Sequence, residues 1–196
     1  MRSAERNPFR WSRVEELPWL PVQFPLEEIY QAWRAEGFRG QLVAPHGSGK
    51  SFLSTRLLRR AQEDGLRTRS LFAGAAPAPA AWMEDWDAEL RQVDPTEILL
   101  LDGLVHAPWW TRRRWLKAHP RVLIPAHTPL RLGALPLLAH WQADPSTLRA
   151  LAEALDPQSA AQLLGPDGGA ALLRQAHGNL RAALGLLYTA WAELPE

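Results

Sequence analysis

Apolar and polar residues follow two successive patterns along the chain. Between residues 39 and 143, short apolar runs alternate with segments of helical period, and after residue 144 only the helical period remains. Alternating strands and helices predict a parallel sheet with helices on both faces. We therefore predict an α/β fold with three segments: an N-terminal extension (1–38), a three-layer parallel-sheet core (39–143) and an all-helical C-terminal lid (144–196).

The same pattern predicts the individual elements. Strands are predicted over residues 41–44, 66–72, 97–102, 121–126 and 135–141. Helices are predicted over residues 27–36, 50–63, 83–92, 108–118, 147–155, 159–164 and 169–176, with a last one from Asn179 onward. That last helix is amphipathic, which predicts one buried stripe, formed by Leu180, Leu184, Leu187 and Trp191.

Composition narrows the class of protein. The chain has 196 residues, 46% of them apolar, which suffices for one packed domain or for a core with a small lid. The net charge of +1 gives no global attraction to nucleic acid or membranes. The lack of cysteine excludes disulfides and cysteine-bound metals. Because no apolar run is long enough for a secretion signal or a membrane span, we expect a cytoplasmic protein.

The strongest motif is Ala-Pro-His-Gly-Ser-Gly-Lys-Ser at residues 44–51, between a predicted strand and a predicted helix. Gly47 and Gly49 permit backbone angles that turn N–H groups inward, and the helix start adds its dipole. Lys50 would then reach the β- and γ-phosphates of a nucleotide, and the Ser51 hydroxyl would ligate Mg²⁺. We expect these residues to contact the nucleotide: Pro45, His46, Gly47, Ser48, Gly49, Lys50, Ser51 and Phe52.

One alternative for this motif is a Gly/Ser-rich turn that caps a helix. Ala44 also stands where the phosphate-loop consensus has glycine. The scarcity of lysine nevertheless favours phosphate binding, because Lys50 is one of only two lysines, the other being Lys117.

Polar residues follow two further strands. Asp102 ends the apolar run at 97–102, where it would hold Mg²⁺ through a water, although an ordinary Asp-Gly turn is the alternative. His127 and Thr128 follow the next strand and would lie at the same sheet edge, within reach of a γ-phosphate or the attacking water.

A third motif, Gly178-Asn-Leu-Arg181, lies near the C-terminus. Gly178 would end one helix and Asn179 would cap the next. Arg181 would then lie in a first helical turn, where arginine opposes the helix dipole, so we expect it to face an anion rather than solvent alone.

Together these motifs resemble the AAA+ class of P-loop ATPases over roughly residues 38–196. By this resemblance, residues 44–51 are similar to Walker A, Ile98–Asp102 to Walker B, His127 or Thr128 to sensor 1, and Gly178–Arg181 to sensor 2. The resemblance implies ATP and Mg²⁺ as cofactors and a strand inserted between the two phosphate-site strands. It also implies that the N-terminal extension helps to enclose the adenine.

One departure from this class concerns hydrolysis. The class has glutamate after the Walker B aspartate to orient water, but this chain has Gly103, and His106 is the nearest polar candidate. We therefore predict an ATP-binding protein, a slow ATPase or an ATP-gated switch that acts on a macromolecular partner. A P-loop small-molecule kinase and a non-hydrolysing nucleotide-binding scaffold are the alternatives. The predicted catalytic residues are Lys50, Asp102, His127, Thr128 and Arg181.

The segment 109–117 combines three tryptophans with four cations. Trp109 and Leu116 are predicted to share a face, with Trp110 and Trp115 projecting away from it. An arginine finger for a second protomer, a nucleic-acid patch at residues 112–114 and a protein-partner surface are the functional interpretations. The structural alternative is a core-facing helix with solvated arginines. Arg131, after the predicted strand 121–126, is an equally plausible arginine finger.

Overall fold

The computed structural model describes residues 3–18, 20, 24–73, 79–131 and 135–194. The chain divides into two compact units. The helical unit comprises Met1–Pro25, Pro45–Phe52 and Trp141–Glu196, and the sheet unit comprises Leu26–Ala44 and Leu53–His140. None of the helices that can be described is long and apolar enough to cross a membrane. The boundaries predicted at residues 38 and 143 stay a prediction.

Strands and helices alternate through the middle of the chain, as predicted. The strands are β1 (Arg39–Val43), β2 (Thr68–Phe72), β3 (Ile98–Asp102), β4 (Val122–Ala126) and β5 (Leu137–His140). The helices are α1 (Trp11–Glu16), α2 (Leu26–Ala35), α3 (Lys50–Glu63), α4 (Pro79–Leu90), α5 (Trp109–Ala118), α6 (Pro145–Leu155), α7 (Pro157–Leu163), α8 (Ala170–Gln175) and α9 (Leu180–Glu193). Short 3₁₀ turns cover Ala4–Arg6 and Leu104–His106.

The five strands form one parallel sheet in the order β2-β3-β4-β1-β5. The prediction of a parallel α/β fold is therefore confirmed. Strand β4 lies between β1 and β3, and its Leu123 is in register with Gly40 on one side and Leu100 on the other. Because all strands are parallel, β1, β3 and β4 end at the same edge of the sheet.

Helices cover the sheet because its central strands are apolar on both faces. On one face, Leu99 and Leu101 of β3 pack with Trp86 of α4 and Trp115 of α5. The alternate residues of the same strand, Ile98 and Leu100, point to the opposite face and are also buried. A strand buried on both faces is typical of a parallel sheet in an α/β protein.

The helical unit has its own apolar core, built from α6, α7, α8 and α9. The predicted stripe of α9 is confirmed, since all four of its residues are buried. Asn179 caps α9, because its side chain accepts a hydrogen bond from the N–H of Ala182 at 3.0 Å. Phe9 and Val14 of the N-terminal segment pack in this same core. Helix α1, which carries Val14, was not predicted.

The predicted orientation of α5 is wrong at two positions. Trp115 is buried, only 3% exposed, whereas Trp109 is 56% exposed. The rings of Trp82 and Trp86 on α4 pack against Trp115, with ring centroids 6.3 and 5.4 Å away. The seam of α5 therefore runs through Thr111, Trp115 and Leu116 rather than through Trp109.

Asp87 of α4 is the polar partner of this aromatic cluster. Its carboxylate accepts hydrogen bonds from Trp115 Nε1 at 2.5 Å and from the guanidinium of Arg114 at 2.6 Å. Burial raises the pKa of Asp87, but the hydrogen bonds from Trp115 and Arg114 outweigh it and hold the pKa below its ordinary value.

We expect acid to destabilise the sheet unit through Asp87. A carboxyl whose pKa is lowered on folding contributes stability above its unfolded-state pKa, about 3.9, and loses it as the pH falls through the folded-state value. Urea unfolding at about pH 7 and pH 3 should therefore show a larger loss of stability in the wild type than in Asp87→Asn. Equal losses in the two proteins would contradict this assignment.

Candidate functional site

The loop between β1 and α3 has the backbone of an anion cradle. Gly47 has φ +69° and Gly49 has φ +91°, angles that other residues rarely adopt. The N–H groups of Gly47, Ser48 and Gly49 donate to none of the residues that the structure describes. Consecutive N–H groups in a glycine-containing turn before a long helix are typical of loops that bind an anion such as phosphate.

Lys50 is the first residue of α3 and is buried, with 8% of its surface exposed. Its ammonium group donates to the carbonyl oxygen of Pro45 at 2.6 Å, and the hydroxyl of Ser48 donates to the same oxygen at 2.7 Å. Both bonds connect the loop to the start of α3 and keep the positive charge of Lys50 at the loop.

The remaining predicted loop residues lie around this cradle. Pro45, His46 and Ser51 are exposed and Phe52 is half-buried. Ser51 belongs to the first turn of α3, so its hydroxyl is at the helix N-terminus.

Within the helical unit, the Gly178–Arg181 motif contacts the loop. A Cβ atom at Gly47 would lie 1.9 Å from Oδ1 of Asn179, so the side chain of Asn179 packs directly on the glycine. The N–H of Arg181 donates to the carbonyl oxygen of Gly47 at 3.3 Å. Two motifs that are about 130 residues apart in the sequence thus meet in one unit.

Two tryptophans complete these surroundings, and neither was predicted. Nε1 of Trp141 donates to the carbonyl oxygen of Ser48 at 3.0 Å. The guanidinium of Arg181 lies 4.6 Å from the ring centroid of Trp11, a cation–π contact on exposed residues. No local sequence signal marks either tryptophan, because the chain has ten of them.

The backbone angle and packing at Gly103 explain why glycine, and not the expected glutamate, follows Asp102. Asp102 ends β3 and is half-buried, and Gly103 follows with φ +95°. A Cβ atom at Gly103 would lie 2.5 Å from Cβ of Ala73. Backbone angle and packing therefore both require glycine here. Glu97 lies before β3, at its opposite end, and is paired with Arg69 at 3.4 Å.

His127 and Thr128 directly follow β4, as predicted, with His127 half-buried and Thr128 exposed. Leu130 and Leu135, which follow in the sequence, are both bonded to Gln41, a buried residue of β1. Its amide oxygen accepts from the N–H of Leu130 at 2.8 Å, and its amide nitrogen donates to the carbonyl oxygen of Leu135 at 3.0 Å. His106 and Arg131 are exposed.

Among the residues with described positions, no three His, Asp or Glu side chains are close enough to hold an ion. Comparison of the chain with protein-family models finds no match, and neither does comparison with curated proteins. The function is therefore inferred from the loop and its surroundings.

Proposed function

We propose that the loop Pro45–Gly49 and Lys50 bind the phosphates of ATP. The observation that carries this proposal is the set of three consecutive N–H groups, at Gly47, Ser48 and Gly49, without acceptors in the described structure. Three such donors before the N-terminus of α3, together with the ammonium of Lys50 at the same loop, support binding of an anion with several oxygens. A triphosphate fits these donors in number and charge.

The strand order supports the AAA+-like interpretation of this site. Strand β4 lies between β1 and β3, which is the insertion that the sequence resemblance implies. Magnesium ligation by Ser51 and Asp102, and contacts of His127 and Thr128 with phosphate or water, stay proposals derived from the motifs.

Gly103 favours a slow ATPase or a switch over a fast enzyme. The position that would orient the attacking water cannot carry a side chain without displacing Ala73. Two contacts support a sensing role for Arg181: its N–H is bonded to Gly47, and its guanidinium lies on Trp11. We propose that the triphosphate competes with Trp11 for this guanidinium and so shifts the lid.

The test is the effect of ATP and Mg²⁺ on thermal stability. ATP at about 100 times its Kd should stabilise the wild type by about 2.7 kcal/mol, or roughly 5–10 °C in melting temperature. Lys50→Ala removes the ammonium that faces the phosphates and should abolish the shift. Lys117→Ala, which changes the only other lysine, is the matched control and should keep it.

An equal ATP-induced shift in wild type and Lys50→Ala would refute the proposal. Phosphate transfer to an added nucleoside or metabolite would favour the kinase. Multiple turnovers that Asp102→Ala abolishes would exclude a non-hydrolysing scaffold, and ATP binding without turnover would support the scaffold.

A further inference from the structure

Helix α5 presents an exposed face made only of aromatic and cationic side chains plus one alanine. Burial of Thr111, Trp115 and Leu116 directs this face outward. Successive residues are 100° apart around a helix, so the residues opposite the buried seam share one surface. They are Trp109, Trp110, Arg113, Arg114, Lys117 and Ala118.

The two tryptophans are exposed to an unusual degree. Trp109 is 56% and Trp110 61% exposed, and their rings contact each other edge to face with centroids 6.0 Å apart. Indole rings are normally buried because of their large apolar area. Two of them held side by side in solvent indicate a surface that is covered when a partner binds.

The charge of this face selects the kind of partner. Arg114 is paired with Asp87 of α4. Arg113 and Lys117, one helical turn apart, form no ion pair with any residue whose position is described. From Gly103 to Ala143 the sequence has no Asp or Glu. The same stretch has six arginines and lysines: Arg112, Arg113, Arg114, Lys117, Arg121 and Arg131. A polyanion is therefore the complementary partner.

We infer that Trp109, Trp110, Arg113 and Lys117 bind single-stranded nucleic acid, with bases stacked on the indoles and phosphates held by the two cations. Every base has an aromatic face, and unpaired bases can reach an exposed indole, whereas those of a duplex are already stacked. A membrane-binding helix needs a broad apolar face, but the aliphatic Leu116 is buried in the core. The helix N-terminus at Trp109 adds positive potential to the same end.

This inference concerns the sheet unit alone and does not depend on ATP binding. It also changes the sequence-based nucleic-acid patch at residues 112–114. Arg113 remains in it and Arg114 is neutralised by Asp87. Arg112 is only half-exposed and is left out of the proposed surface. The surface instead includes the two exposed tryptophans and Lys117.

The test is binding of a fluorescent oligothymidine of about 20 nucleotides to the full chain, measured by anisotropy without nucleotide at about 50 mM salt and above. Trp109→Ala and Trp110→Ala should each weaken binding roughly 5- to 100-fold. Arg113→Gln with Lys117→Gln should lower the slope of log K against log salt by about 1.4, since each phosphate contact contributes about 0.7. A duplex should bind more weakly and respond little to the tryptophan changes.

Matched controls separate this surface from general effects. Phe72→Ala removes another exposed aromatic ring, and Arg34→Gln with Arg59→Gln removes two exposed cations elsewhere. Binding by these controls should stay within about twofold of the wild type. Absence of oligothymidine binding, or equal weakening by the controls, would overturn the inference. It would also be overturned if the tryptophan changes abolished vesicle binding or self-association while oligothymidine binding was unchanged.

Discussion

Replacing Gly47 with alanine is expected to destabilise the helical unit by about 2–5 kcal/mol. Two costs add. A non-glycine residue at φ +69° costs about 1–2 kcal/mol. The new methyl group would also lie 1.9 Å from Oδ1 of Asn179, and overpacking of this kind costs about 1–3 kcal/mol. Urea unfolding followed by circular dichroism measures the loss.

Gly49 provides the matched control for this prediction. It also has a positive φ, of +91°, but among the residues with described positions, apart from its immediate neighbours, no atom lies within 4 Å of the position of a Cβ. Gly49→Ala should therefore cost only the backbone term, about 1–2 kcal/mol.

A double-mutant cycle tests whether Asn179 causes the difference. Asn179→Ala alone should cost about 1 kcal/mol, because α9 loses its cap. In Gly47→Ala with Asn179→Ala the clash is gone, so the combined cost should be smaller than the sum of the two. Strict additivity, together with equal losses for Gly47→Ala and Gly49→Ala, would show that the contact carries no energy.

Local signals in the sequence were sufficient for most of the sheet unit. Helix α3 was predicted with its observed bounds, because Gly49 precedes it and Gly65, with φ +78°, ends the turn after it. The apolar runs of β3 and β4 identified those strands because a strand buried on both faces leaves a continuous apolar run. Helix α1 has only six residues and no capping side chain, so no comparable signal marks it.

The periodicity of apolar residues does not predict contacts between segments that are distant in the sequence. The motif that contains Asn179 and Arg181 was recognised from its spacing, but its packing on Gly47 depends on how the helical unit folds. Gly103 was identified as a departure, but its explanation, a positive φ and the position of Ala73, comes from the folded structure. Sequence patterns thus located the candidate site, whereas the constraints on its glycines come from tertiary packing.

The orientation of α5 shows the same limit. Trp109 and Leu116 are seven residues apart and predicted one seam, but Trp115 fits an apolar seam equally well on its own properties. Helix α4 determines which residues of α5 form the buried seam. It supplies two indole rings that pack against Trp115 and the carboxylate of Asp87 as an acceptor for the Trp115 N–H.

Trp115→Ala is accordingly expected to destabilise the sheet unit by about 3–5 kcal/mol, the range for a large aromatic side chain removed from a core. It removes the ring that packs against Trp82 and Trp86 of α4 and takes a hydrogen-bond donor from Asp87. Trp115→Phe keeps a ring but loses the donor, so its cost should be smaller and should include about 1–3 kcal/mol for the partly buried carboxylate. Urea unfolding at neutral pH measures both.

Trp110→Ala is the matched control, because it removes the same side chain from the same helix where it is 61% exposed. Its cost should stay within about 0.5 kcal/mol, since surface substitutions away from special features change stability little. The pair also separates the two roles that α5 has in this structure: Trp115 should affect folding, and Trp110 should affect nucleic-acid binding without affecting folding. If both variants lost the same stability, the burial of Trp115 and the free aromatic surface on α5 would both be wrong.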